Sequence, residues 1–295
     1  MSPTEIKKLM EKYGIAPKKL FGQNFLISEG ILDKIIKSAN LSKKDIILEV
    51  GPGLGALTFK MASLAKRIIA VEKDRNLVKI LQERLTEKNI KNVEIIEEDI
   101  LKFETINYKL KTKNYSLIAN IPYYLTSALI RKFLETENKP QKIILMIQKE
   151  VAQRICLPRR SLSGGKRSQQ IKMNILALSV QFYADAKILF YVSKENFWPA
   201  PKVDSAVIEI TPKEKLPDID EKLFFKIVKA GFSSKRKQLS GNLANNLKLP
   251  KDKIEEILKS IGINPKQRAE ELMLEKWMDL TNFIWREADL SQNIK

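Results

Sequence analysis

The feature that most constrains this chain is a change of pattern within ten residues. An apolar run, Ile46-Ile47-Leu48, passes through Glu49-Val50-Gly51-Pro52-Gly53-Leu54-Gly55 into Ala56-Leu57-Thr58-Phe59-Lys60-Met61-Ala62. That reads as a buried strand, a glycine turn and a helix. Glycine lacks Cβ, so the chain bends sharply and a ligand can approach the backbone. The helix that follows offers free N–H groups. Alone, this turn is compatible with a nucleotide-like cofactor of either dinucleotide or adenosine type, or with no ligand.

The flanking sequence repeats the alternation. Residues 5–13 form a short basic helix. Residues 28–39 form another, capped by Ser28, with Ile31, Leu32, Ile35 and Ile36 as its stripe. After the glycine helix come a second strand, Ile68 to Glu72, and a helix capped by Asp74 that runs to about Lys88. Val93 to Ile96 is a third strand closing on Asp99, and Tyr115 to Ala119 a fourth. A helix follows over 125–134, then a fifth strand at 142–147. Strands alternating with helices imply a parallel sheet with right-handed crossovers. Further on, the pattern gives a helix at about 171–183 and strands near 187–191 and 203–210. A proline-containing linker over 212–218 leads into helices at about 220–231, 236–247, 251–261 and 268–287. Asp252 is placed to cap the third of these and Gly262 to stop it. Two domains are therefore expected, 1–212 and 213–295.

Composition narrows the functional classes. There are 53 Lys+Arg against 35 Asp+Glu, a net charge of +18. Such a surface suits a polyanion, because neutralised phosphates release condensed counterions. With no histidine, His triads, His bases and His metal ligands are excluded. One cysteine, Cys156, excludes a disulfide framework and a Cys-rich zinc site. The N-terminus lacks an apolar signal core. The longest apolar stretch, 175–192, is interrupted by Gln181, Asp185 and Lys187. A cytoplasmic protein that does not span a membrane is the expectation.

Three positions carry chemistry. Glu72 lies 21 residues after Gly51 at a strand end, where an acid accepts both hydroxyls of a ribose. Because Gly51-x-Gly53-x-x-Ala56 also satisfies the loose dinucleotide fingerprint, an NAD-type dehydrogenase is a rival. Pro52 and Gly55 suit a ligand without phosphates, and Asp99 after the third strand suits an adenine amine. Together the two acids favour S-adenosylmethionine. Asn120-Ile121-Pro122-Tyr123 follows the fourth strand at the sheet's carboxyl edge. The Asn120 oxygen and the Ile121 carbonyl suit the two N–H groups of an exocyclic amine. Pro122 fixes the backbone, and Tyr123 offers a stacking ring. Methylation of such an amine needs neither histidine nor metal.

Gly22-Gln23-Asn24-Phe25-Leu26, Glu49-Val50-Gly51-Pro52-Gly53, Asn120-Ile121-Pro122-Tyr123, Phe197-x-Pro199-x-Pro201-Lys202-Val203-x-Ser205 and Gly231-Phe232-Ser233-Ser234-Lys235-Arg236-Lys237 resemble, in order and spacing, the KsgA-type rRNA adenine N6,N6-dimethyltransferases. The resemblance runs from about residue 18 to the C-terminus. It implies an α/β, class I (Rossmann-like) S-adenosylmethionine-dependent methyltransferase sheet with a small all-α C-terminal domain. It implies dimethylation of two adjacent adenosines in a hairpin near the 3′ end of small-subunit rRNA, by a monomer acting on rRNA or the immature small subunit. Cofactor contacts implied are Asn24, Leu26, Gly51, Glu72, Asp99 and Asn120. The catalytic set is Asn120, Pro122, Tyr123 and Phe197, with Tyr123 and Phe197 sandwiching a flipped adenine. RNA contacts expected are Lys18, Lys19, Arg159, Arg160, Lys166, Arg167, Lys235, Arg236 and Lys237; no metal is expected. A large-subunit adenine methyltransferase and a mainly non-catalytic ribosome-assembly factor are the alternatives.

One departure from the family is a longer loop, about 157–172. Residues 149–172 hold seven Lys/Arg and one acid, Glu150, which suggests an extra arm on rRNA phosphates. Reversing the charges of Arg159, Arg160, Lys166 and Arg167 should lower the salt dependence of RNA binding; an unchanged slope of log K against log salt rules the arm out. Trp198 is a second departure, next to the expected base pocket.

Overall fold

The computed structural model describes residues 2–18, 22–156 and 172–286. In chain order its elements are α1 (Pro3–Lys12), β1 (Phe25–Leu26), α2 (Glu29–Ala39), β2 (Ile46–Val50), α3 (Ala56–Ala62), β3 (Arg67–Glu72), α4 (Arg75–Glu87), β4 (Val93–Glu97), β5 (Ser116–Asn120), α5 (Thr126–Leu134), β6 (Lys142–Gln148), α6 (Lys149–Ile155), α7 (Ile175–Tyr183), β7 (Ala184–Val192), β8 (Phe197–Trp198), β9 (Ser205–Pro212), α8 (Glu221–Gly231), α9 (Leu239–Leu247), α10 (Lys251–Ser260) and α11 (Leu274–Arg286). The chain divides into two compact units: residues 1–153 with 184–212, and residues 154–183 with 213–295.

The first unit is built on a seven-stranded sheet of order β4-β3-β2-β5-β6-β9-β7. The five strands from β4 to β6 pair in parallel, as βαβ alternation demands. β9 and β7 add antiparallel to that edge, which the alternation alone did not indicate. No crossover helix separates β7 from β9, so antiparallel pairing is the arrangement a short connection permits. The central strands are apolar on both faces: Ile47, Leu48, Ile68, Ile69, Ala70, Leu117 and Ile118 are fully buried, as a covered parallel sheet requires.

Local signals place the helices. The Ser28 hydroxyl accepts from the Ile31 N–H at 3.4 Å and the Asp74 carboxylate from Asn76 at 3.1 Å, capping α2 and α4. Asp252 is not a cap: α10 begins after Pro250 and Asp252 sits in its first turn. A proline can open a helix that way because the first N–H groups have no intrahelical partner. Gly262, at φ +69°, ends α10 as expected. Lys235, Arg236 and Lys237 lie in a turn that precedes α9 rather than in its first turn.

The second unit is helical. Trp277, fully buried, rests on Gly231, where an added Cβ would lie 2.3 Å from its ring, and stacks on Phe232. Phe182, Tyr183, Phe224 and Phe225 form an aromatic cluster between α7 and α8. The buried Asn242 amide donates to the carbonyls of Gly231 at 2.7 Å and Ser234 at 2.9 Å. This clamps the turn that exposes Lys235, Arg236 and Lys237.

Gly55 is the tightest point in the first unit. Its φ is +87°, and an added Cβ would meet Leu81 at 2.6 Å and Phe59 at 2.7 Å. Gly55→Ala should lower unfolding stability by about 1–3 kcal/mol through strain and overpacking. Urea unfolding tests this; an unchanged midpoint and slope would contradict it.

Candidate active site

Parallel pairing brings the carboxyl ends of β2, β3, β4 and β5 to one edge of the sheet. A cavity of about 300 Å³ opens there, within the first unit. The expected residues Asn24, Leu26, Gly51, Glu72, Asp99, Asn120, Pro122, Tyr123 and Phe197 all line it. No helix among the described residues is long and apolar enough to cross a membrane, and none of their His, Cys, Asp or Glu side chains form a group of three suited to a metal. Burial pushes the Cys156 thiol up to about 12, which leaves it unreactive at neutral pH.

The glycine turn is anchored by the sheet. The Gly51 N–H donates to the Val71 carbonyl at 2.9 Å, continuing the β2–β3 ladder one residue past the strand. At φ +65°, a Cβ on Gly51 would meet nothing within 4 Å, so the backbone there borders open space. Arg84, stacked on the Phe59 ring at 4.6 Å, donates to the Leu54 carbonyl and supports the turn from α4.

Four carboxylates surround this backbone, each held differently. Glu72 accepts from the backbone N–H groups of Gly53 (3.2 Å), Lys73 (2.9 Å) and Asp74 (2.9 Å). Burial raises its pKa, and those three donors oppose the rise. Asp99 accepts from the Lys73 ammonium at 2.7 Å and the Leu101 N–H at 3.0 Å; the lysine above all holds its pKa down. Asp74, almost buried, takes the Lys18 ammonium at 2.8 Å and the Gln23 amide at 3.2 Å. Glu49 is 2 % exposed and accepts the Thr58 hydroxyl at 2.7 Å. Burial pushes its pKa up to about 8, with the Glu72 charge adding to the rise.

At the end of β5 the Asn120 amide nitrogen donates to the Asn24 carbonyl at 3.4 Å. That leaves the amide oxygen as the group available to an incoming donor. Pro122 follows at φ −55°, ψ 135°, and Tyr123 opens a 3-10 turn. The Tyr123 hydroxyl lies 2.8 Å from the Ser205 hydroxyl on β9, and burial raises its pKa. Phe197 is 4 % exposed: it lines the cavity and packs with Leu26, Val192 and Val207 in the core.

Two features escaped the sequence patterns. β1 and β8 form a two-residue antiparallel ladder, Phe25 opposite Trp198 and Leu26 opposite Phe197. It ties the Asn24 loop to the Phe197 loop, and two residues are too few for a periodic signal. Trp198 packs with Ile6 and Met10 of α1, Leu54 and Leu77. Thus α1 covers the glycine turn with an apolar face, and Ile6 reaches the cavity; its i, i+4 pair Ile6/Met10 was the available signal.

Of the expected RNA contacts, Lys18 is in the ion pair with Asp74, and Lys235, Arg236 and Lys237 are exposed. Lys19, Arg159, Arg160, Lys166 and Arg167 lie outside the described residues.

This donor set fits a ligand with vicinal hydroxyls, an amine-bearing ring and a cationic centre. A family model described as "Ribosomal RNA adenine dimethylase" matches residues 16–286. A ribosomal RNA small subunit methyltransferase A of Dehalococcoides mccartyi (strain CBDB1) is 40% identical, covering 94% of this chain and 91% of its own. That of Clostridioides difficile (strain 630) is 39% identical, covering 94% of each. Among solved structures, a dimethyladenosine transferase from Plasmodium falciparum superposes with a TM-score of 0.70 at 26% identity, covering 90% of this chain and 98% of its own. The 23S rRNA methyltransferase ErmE shares the fold, with a TM-score of 0.65 at 23% identity over 88% of this chain and 98% of its own.

The raised pKa of Glu49 gives a stability test. Between about pH 4.5 and pH 8 the unfolded chain has lost this proton while the folded protein keeps it. Stability without ligand therefore falls as pH rises through that window, by an amount on the order of a few kcal/mol. Glu49→Gln, which keeps the shape and stays neutral, should flatten most of that slope in urea unfolding at pH 5.5 and 8. An identical slope in the variant would assign it to other groups.

Proposed function

The chain belongs to the ribosomal RNA adenine dimethylase family and has the class I methyltransferase fold, and from this premise we propose that it transfers methyl groups from S-adenosylmethionine to the N6 amines of two adjacent adenosines in a hairpin near the 3′ end of small-subunit rRNA. The observation that carries the reading is the placement of Asn120-Ile121-Pro122-Tyr123 on the same cavity as Gly51, Glu72 and Asp99. In this reading it works as a cytoplasmic monomer on rRNA or on the immature small subunit.

S-adenosylmethionine supplies the methyl group as an electrophilic sulfonium. Glu72 takes the ribose hydroxyls with the carboxylate lone pairs that its three backbone donors leave. Asp99 takes the adenine amine, the Lys73 ammonium yielding or sharing its place. Asn24, Leu26 and Gly51 close on the rest of the donor. The target presents a different problem. The N6 lone pair of adenine is delocalised into the ring, so it is a poor nucleophile. The Asn120 oxygen and the Ile121 carbonyl each accept one N–H, which pulls the nitrogen towards tetrahedral geometry and frees its lone pair. Pro122 has no N–H to compete and fixes the direction of its neighbour's carbonyl. Tyr123 and Phe197 hold the base by its faces after it leaves its stack; such stacking contributes about 1–3 kcal/mol per base. Alignment supplies most of the rate, and the second transfer acts on the same nitrogen, whose one remaining N–H engages only one of the two acceptors.

The test is incorporation of labelled methyl groups into immature small subunits, with large subunits as the contrast. Label should appear in two adjacent adenosines of the small-subunit RNA. Asn120→Ala should reduce the turnover rate by about 10²–10³-fold, the loss that follows removal of one preorganised polar group at the reacting centre. Subunit binding with no incorporation by the intact protein would overturn the reading.

A further inference from the structure

The carboxylates of the cavity are unequal in one respect that methyl transfer to a neutral amine does not use. Glu72 has three backbone N–H donors, and Asp99 has the Lys73 ammonium. Glu49 is buried at the end of β2 and lines the cavity, yet its partner is Thr58 on α3. The charged groups that share its surroundings are mostly acidic: Glu72 and Asp74 at the end of β3, and Glu98 and Asp99 after β4. From β5 the neutral Asn120 lines the same cavity. Lys73, the cation that lines the cavity, is engaged by Asp99, and Lys18 by Asp74. A buried carboxylate so placed must either carry a proton or meet a cation.

The donor and the product of the proposed reaction differ in this one property. When the methyl group moves, the amine nitrogen forms the new C–N bond and the C–S bond breaks. Its electron pair stays on sulfur, and the nitrogen sheds a proton to solvent. The sulfonium thereby becomes a neutral thioether. We propose that Glu49 is a specificity-determining residue that tells donor from product by charge: it gives up its proton when the sulfonium-bearing donor enters the cavity and takes one back from solvent when the neutral thioether remains. This rests on the methyl-donor reading above. Its consequence is that the cavity favours the cation and releases the product, with Glu49 alternating between counter-ion and neutral acid. Burial predisposes the group to this exchange, since it pushes the Glu49 pKa up to about 8 without ligand.

Isothermal titration calorimetry of S-adenosylmethionine and of S-adenosylhomocysteine tests this on the intact protein. At pH 6.5 the α-amino groups of both ligands are protonated. Each titration is run in two buffers of different ionisation enthalpy, which counts the protons released. Donor binding should release close to one proton, and product binding close to none. The donor's Kd should fall by up to ~10-fold per pH unit between pH 6 and pH 7.5, because ionisation of the acid favours the cation; the product's Kd should stay nearly flat. Glu49→Gln should abolish the proton release and bring the two affinities together. Equal proton counts for both ligands in the intact protein, which needs no variant, would overturn the proposal, as would release that survives in Glu49→Gln. If neither ligand binds, the methyl-donor reading itself fails.

Discussion

The parallel pairing of β2 with β3 and β5 is the constraint on which the cavity depends. In-register ladders fix Glu49 opposite Ala70 and Ile118, and Val50 opposite Val71. The three strands therefore end together, and the Gly51 N–H carries the pairing one residue beyond β2. A one-residue slip would turn every side chain over, moving Glu49 and Glu72 off the faces they now occupy. Because these strands are buried on both faces, such a slip would cost most of the core. The positions of the carboxylates are thus set by apolar packing, and their different chemistry by what each meets at its strand end.

That division explains what the sequence made legible. Buried runs, caps and glycine turns are local, and they place β2 to β6, α2, α4 and the edge residues Glu72 and Asn120 within a residue or two. The resemblance to a known family adds Asn24, Leu26 and Phe197, which no periodicity singles out. What stayed hidden depends on distant partners. The β1–β8 ladder joins residues about 170 positions apart through two residues on each side. The antiparallel addition of β9 and β7 is a choice of direction that buried strands do not advertise. Lys18 reads as a free surface cation until Asp74 and Gln23 fold against it.

The acids follow the same rule. In sequence, Glu49, Glu72 and Asp99 are three carboxylates at three strand ends. Their differences arise only from the fold: three backbone donors for Glu72, a lysine for Asp99, one threonine for Glu49. Charge in a low-dielectric cavity is governed by such partners far more than by residue type. A chain without histidine still acquires, in Glu49, a group that titrates near neutral pH.

The short β1–β8 ladder then gains a role out of proportion to its size. Asn24, Leu26, Tyr123 and Phe197 all line the cavity. Ile27 donates to the Asn196 carbonyl at 2.9 Å and Asn24 accepts from Asn120, so both loops are tied to each other and to β5. In the proposed reaction, an amine held by Asn120 and Ile121 while its ring is stacked tolerates little play between these parts, since displacements of about 1 Å at a reacting centre cost about 10²-fold in rate. A ladder holds the two loops in fixed relation, which in the proposed reaction keeps the donor's contacts aligned with those of the base. If the site works by alignment in place of acid–base catalysis, as proposed, that shared order is where the rate comes from.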